Sequence, residues 1–87
     1  MKMDWVAHSG ARTWRLYFRE PTQFAALLRL RDEDGWFEYY LRDQHGKVPA
    51  GYAKLARYTK LEGLRTLEEA QDAVRVIVVL TEAATNR

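Results

Sequence analysis

The side chains that could do acid–base or metal chemistry are few and scattered along this chain. Both histidines, His8 and His45, lie at turn sequences, and neither has a second histidine at the spacing of a metal site. Three carboxylates stand together in Asp32–Gly35, but the alternating ligands and the distal glutamate of a calcium loop are absent. We therefore interpret the histidines as surface turn residues and the acidic run as a solvated turn, and we predict no metal site.

The components of nucleophilic catalysis are missing from the sequence as well. Ser9 is the only serine, there is no cysteine, and Thr22, Thr59 and Thr66 have no companion base at a motif spacing. The five glycines are scattered at turns, so no glycine-rich phosphate loop exists. A chain of 87 residues also has little volume in which to enclose a substrate. We predict a protein that is not an enzyme and that binds no cofactor.

Length and composition bound the class of protein. Residues 1–87 suit one small domain, and the lack of cysteine excludes disulfides and cysteine zinc sites. The chain is 47% hydrophobic and 13% aromatic, which is too apolar for a disordered segment. Its longest apolar run, Val76–Leu80, is too short to cross a membrane, and the start of the sequence has no signal-peptide core, so we expect a cytoplasmic protein. A net charge of +2 does not by itself identify a nucleic-acid binder.

The first half of the chain has the residue patterns of β-strands. Apolar and polar side chains alternate from Trp14 to Arg19, the period of a half-buried strand, and Asp4–His8 fits a strand before it. Leu28–Arg31 and Trp36–Arg42 flank an Asp-Gly turn, which predicts a hairpin. The preceding segment, Gln23–Leu27, fits either the start of that strand or one helical turn.

The C-terminal part of the sequence has the pattern of a helix. Thr66 and Glu69 have the spacing of a capping box, and we predict a helix from Leu67 to Ala84. The β-branched residues between Val74 and Leu80 favour a strand instead, but the capping box and the flanking alanines favour the helix. One stripe at helical spacing is expected to face the core: Leu67, Ala70, Val74, Ile77, Val78 and Thr81.

Three apolar side chains do not fit on the inner stripe of this helix. Val76, Val79 and Leu80 would project away from it, so they would be exposed on a monomer or covered by another molecule. They predict a surface for self-association as a homodimer. The segment from Ala50 to Leu61 stays open between helix and strand, and we favour a strand over Gly51–Tyr58 because it would complete a meander.

The predicted fold is α+β: a small antiparallel meander of three to five strands, packed by one C-terminal helix in a two-layer sandwich. The helix should cover the apolar strand residues Trp14, Leu16, Phe18, Leu28, Leu30, Phe37, Tyr39 and Leu41. The opposite face of the sheet would then carry arginines and aromatic residues: Arg15, Tyr17, Arg19, Arg29, Arg31, Trp36, Tyr40 and Arg42. A slip of one residue in the register would exchange the two faces.

Such an arginine and aromatic face leads to two functional hypotheses. The first is a non-enzymatic protein-binding module, because arginine and tyrosine are enriched at interfaces. A chain of this size without motifs fits a phage or mobile-element inhibitor of a host complex, of the anti-CRISPR kind. The alternative is a single-stranded nucleic-acid or RNA-binding protein, whose aromatic residues would stack on bases while arginines hold phosphates.

Overall fold

The fold is an antiparallel sheet with one helix packed on it. A computed structural model describes residues 2–8, 12–19, 22–42, 58–63 and 65–85. In these residues the elements are β1 (Met3–His8), β2 (Thr13–Phe18), β3 (Gln23–Leu30), β4 (Phe37–Leu41), β5 (Thr59–Lys60) and α1 (Leu67–Thr85). The strands are antiparallel neighbours in the order β1-β2-β3-β4-β5. The predicted meander with a C-terminal helix is confirmed.

The register of the strands gathers their apolar residues beneath α1. Leu28 of β3 pairs with Trp14 of β2 on one side and with Tyr39 of β4 on the other. Because paired residues in antiparallel strands point to the same face, these rows form a continuous apolar surface. All eight strand residues expected under the helix belong to the core or pack against it. Leu16 and Leu28 have no exposed surface at all.

The helix α1 buries a narrow line of small residues on this surface. Ala70 and Val74 are fully buried and Val78 is 3% exposed, at the spacing of successive helical turns. The start of α1 carries the predicted capping box. The Glu69 amide donates to the Thr66 hydroxyl at 3.1 Å, and the Thr66 amide donates to the Glu69 carboxylate at 2.9 Å. Burial of this stripe and the cap outweigh the strand propensity of the valine-rich segment.

The structure answers in part which of the two ambiguous segments are helix and which are strand. Gln23–Leu27 belongs to β3, so it is a strand and not a helical turn. The last strand is Thr59–Lys60, paired with β4 through Glu38 and Tyr39. Most of the predicted strand Gly51–Tyr58, together with His45, lies outside the described residues.

Removing the cap of α1 should lower the stability of the whole fold. We expect Thr66→Ala to cost about 1 kcal/mol, because the Glu69 amide loses its acceptor at the first turn. Urea unfolding followed by circular dichroism would measure this change. Thr66→Ser keeps the hydroxyl and serves as the control, so an equal loss in both variants would contradict the role of the cap.

Candidate functional site

The face of the sheet opposite α1, here called the far face, is defined by the strand register. Arg15 pairs with Val6 and Leu27, and Leu27 pairs in turn with Tyr40, so these residues share that face. The same alternation assigns its other members: Asp4, His8, Thr13, Tyr17, Phe24, Arg29, Glu38, Tyr58 and Lys60.

The far face is covered over β3, although it lies away from the helix. Leu27 is 1% exposed and Phe24 is 3% exposed. The Tyr17 ring meets Phe24 edge-on, with 6.2 Å between ring centroids. Among the described residues, the far face is open at β1, where Val6 is 50% exposed. The predicted arginine and aromatic surface therefore surrounds two buried apolar residues that it did not include, while predicted members such as Arg15, Tyr17 and Tyr40 are half-buried.

Arginines on and beside the far face are held by carboxylates of the same chain. Glu38 is 6% exposed, and its Oε1 accepts from Nε of Arg29 at 2.7 Å. Arg31 lies 3.5 Å from the other oxygen of Glu38, and it also contacts Glu33 at 2.9 Å and Asp34 at 3.2 Å. A buried carboxylate needs such partners, so the primary role of Arg29 and Arg31 is to pair with Glu38 inside the fold.

Arg19 and Arg42 are paired in the same way, but at the ends of the sheet. Arg19 follows β2 and donates two hydrogen bonds to the carboxylate of Asp4. Arg42 follows β4 and forms a two-pronged ion pair with Glu82 of α1, with both N–O distances at 2.8 Å. Arg42 therefore lies on the helix side of the sheet, which corrects its predicted place on the opposite face.

The planes of three aromatic rings are occupied by cations of the same chain. The ammonium of Lys60 lies 3.9 Å from the ring centroid of Trp36. The guanidinium carbon of Arg29 lies 4.1 Å from the centroid of Tyr58. That of Arg42 lies 4.6 Å from Phe18. Each cation covers one face of its ring, and at Trp36 and Tyr58 a nucleic-acid base could not stack on that face.

A cleft of about 540 Å³ opens where the β3–β4 hairpin meets the start of β2. Its charged lining consists of Arg12, Arg29, Arg31, Asp32, Glu33 and Glu38. Arg12 is bonded to Asp32 at 2.6 Å, so each arginine of the cleft has an acidic neighbour. Among the described residues, the three arginines that line the cleft are matched by three carboxylates.

Three of the four exposed large hydrophobic side chains in the described residues lie on the outer side of α1, and the fourth is Val6. Val76 is 56% exposed, Val79 is 39% exposed and Leu80 is 66% exposed, as the helical spacing predicts. Ala83 is exposed as well and completes a set at positions i, i+3, i+4 and i+7. We call these four residues the outer stripe. Ala83 was not among the residues predicted to be exposed, although its spacing from Val76 was sufficient to find it.

The outer stripe continues into an acidic region at the start of α1. Glu68, Glu69 and Asp72 are exposed and precede Val76 by one to two turns. The only basic residue of the helix is Arg75, and its guanidinium donates to the carbonyl oxygen of Met3 at 3.2 Å. The outer side of α1 therefore has one apolar half and one acidic half.

Comparison with known proteins adds no relative: no family model, no curated protein and no solved structure matches this chain. Within the described residues, no group of three or more histidine and carboxylate side chains could hold a metal ion. The helix of this part of the chain is not apolar enough over its length to cross a membrane.

Because Glu38 is buried and Arg29 is partly exposed, removing either partner of this ion pair should lower the stability by a different amount. Arg29→Met should cost about 2–3 kcal/mol, because the carboxylate stays buried with only the more distant Arg31 beside it. Glu38→Gln should cost about 1 kcal/mol, since one third of the Arg29 side chain is exposed and can be hydrated. Urea unfolding would measure both, and equal losses would contradict this asymmetry.

Three exposed carboxylates have lowered pKa values. The pKa of Asp4 is lowered mainly by the hydrogen bonds from Arg19. That of Asp34 is lowered first by the backbone amide of Trp36, which donates to it at 3.0 Å, and then by Lys60. The pKa of Glu69 is lowered first by the backbone amide of Thr66 and then by the Thr66 side chain. In each case the folded state favours the ionised form.

These carboxylates should make the protein less stable in acid. Their folded pKa values lie below the unfolded values, so the unfolded chain takes up protons first as the pH falls below about 4.5. We expect a constant free energy of unfolding from pH 7 to about 5 and a decline from there to pH 3. The variant Asp4→Asn/Asp34→Asn/Glu69→Gln should show a flatter decline in urea titrations at each pH. An unchanged slope would refute the assignment.

Proposed function

We propose that this protein is a non-enzymatic protein-binding module that contacts its partner through the outer stripe of α1. The observation that carries this proposal is the exposure of Val76, Val79 and Leu80 along one line of the helix. Exposed valine neither fills the core nor favours a helix, because its branched side chain loses rotamer freedom there. Burial by a partner protein would explain why apolar side chains occupy these exposed positions.

The arginine and aromatic residues of the sheet support this proposal less directly. The carboxylates bound to Arg19, Arg29, Arg31 and Arg42 would have to be released before these guanidinium groups could bind a partner. The open part of the far face, around Val6 and His8 on β1, lies on the other side of the sandwich from α1. The predicted binding role of the eight sheet residues stays a prediction, secondary to the helix.

Single-stranded nucleic-acid binding is the competing function, and the charges of the structure weigh against it. Affinity for a phosphate backbone comes from cations that can replace the condensed counterions. Here an exposed or half-buried arginine is repeatedly bonded to an acidic group, as in the Arg12–Asp32 and Arg19–Asp4 pairs. The narrower ideas of a phage-encoded inhibitor of a host complex and of a cytoplasmic location stay predictions.

Two measurements on the nuclease-treated protein test this proposal. Fluorescent single-stranded DNA and RNA should not bind with an affinity that falls steeply with salt. Affinity capture from the source cells should recover the same few proteins with the wild type and with Val6→Lys, but at least tenfold less with Val76→Lys/Leu80→Lys. Val6 is a matched control, because its exposure of 50% is close to the 56% of Val76.

The double variant should keep its fold, since lysine is a better helix former than valine at an exposed position. Its thermal transition is expected at or slightly above that of the wild type. Steep salt-dependent binding of DNA or RNA would replace the proposal with the nucleic-acid function. Equal capture by all three proteins would remove the outer stripe from the binding surface.

A further inference from the structure

We infer that the occupant of the outer side of α1 is an amphipathic helix of a partner protein, apolar in one half and basic in the other. This inference rests on the proposed function and gives the partner its chemistry. It follows from the line of side chains on α1, from the charges on that line and from the size of the surface.

The outer side of α1 presents one continuous line that fits a second helix. Glu68, Asp72, Val76, Val79 and Ala83 follow one another at steps of four, four, three and four residues. Such steps keep side chains on one side of a helix, and they match the spacing by which paired helices meet. At 1.5 Å per residue, this line extends over about 22 Å. A partner helix of about four turns would cover it from end to end.

The charges on this line set the charge of the partner. Glu68, Glu69 and Asp72 are exposed at its first half, and Arg75, the only cation of the helix, is bonded to the Met3 carbonyl at the edge of β1. Arg65, just before α1, acts on Glu69, but no side chain of α1 itself neutralises Glu68 and Asp72 from the outside. A partner with lysine or arginine opposite these carboxylates gains both attraction and a fixed direction along the line.

A second copy of this chain complements the outer side of α1 less well. Two parallel α1 helices would place their acidic halves against each other, which is repulsive. Two antiparallel helices related by a twofold axis between Val79 and Leu80 would pair Val76 with Ala83 and would leave Glu68 and Asp72 without a counterpart among the residues of α1, Leu67–Thr85. Within α1 only the apolar halves would then meet, and the four side chains of the outer stripe fall far short of the roughly 800 Å² per partner in a standard interface.

A displayed library of 21-residue amphipathic peptides would test the partner's chemistry. Every peptide carries apolar residues at helical spacing in one half, and the charges of the other half are basic, acidic or neutral. Selection on the wild-type protein should enrich the basic peptides at least tenfold over the acidic ones. Selection on Glu68→Lys/Asp72→Lys should reverse this preference. Glu33→Lys/Glu62→Lys makes the same change in net charge at residues outside α1 and should leave the preference for basic peptides in place.

Several outcomes would overturn the inference. They are a lack of enrichment, the same charge preference in all three proteins, and peptide binding that survives Val76→Lys/Leu80→Lys. A wild-type dimer in equilibrium sedimentation that dissociates in Leu80→Lys would assign the surface to a second copy. If the selection fails while capture from cells still depends on the outer stripe, the proposed function stands and only the helical partner is lost. If capture does not depend on the stripe either, both are wrong.

Discussion

The close packing of α1 on the sheet is the constraint on which the rest of the structure depends. The line of Ala70, Val74 and Val78 meets a sheet surface that includes Ala25 and Ala26 of β3, all of them buried. Small residues on both sides let the helix approach the strands closely, and larger residues such as Leu16 and Phe37 fill the space around them. Because this inner stripe is narrow, a large part of the helix circumference remains outside the core.

That geometry divides the roles of the valines in one helix. Val74 and Val78 hold the two layers together, while Val76 and Val79, only two and one positions away, point outward. Valine is therefore buried in the core at two positions of α1 and exposed to solvent at two others. The acidic first turns extend this outward side, and the Arg42–Glu82 pair fixes the last turns to the end of β4. The outer side of α1 is consequently held in one orientation relative to the sheet.

Local patterns were sufficient to predict β1 to β4, the helix α1 and much of the core. They did not predict β5 at Thr59–Lys60, and Thr81, expected on the inner stripe, is exposed. Alternation in β2 identified which residues face the helix, and the Thr66–Glu69 spacing identified where the helix begins. The nature of the far face could not be predicted, because alternation shows which residues share a face but not what covers it, as Leu27 demonstrates. The ion pairs were equally hidden, since Arg42 and Glu82 are 40 positions apart in the sequence. For the same reason a net charge of +2 says little about where free positive charge lies.

The valine-rich segment of α1 also affects the behaviour of the chain before it folds. From Val74 to Leu80, five of seven residues are β-branched and only Arg75 is charged, a composition that favours cross-strand association between unfolded chains. Helix formation removes this hazard, because it turns the backbone hydrogen bonds inward and separates adjacent valines around the helix axis. The capping box immediately ahead of the segment thus acts as a safeguard against aggregation, in addition to its contribution to the stability of the finished fold.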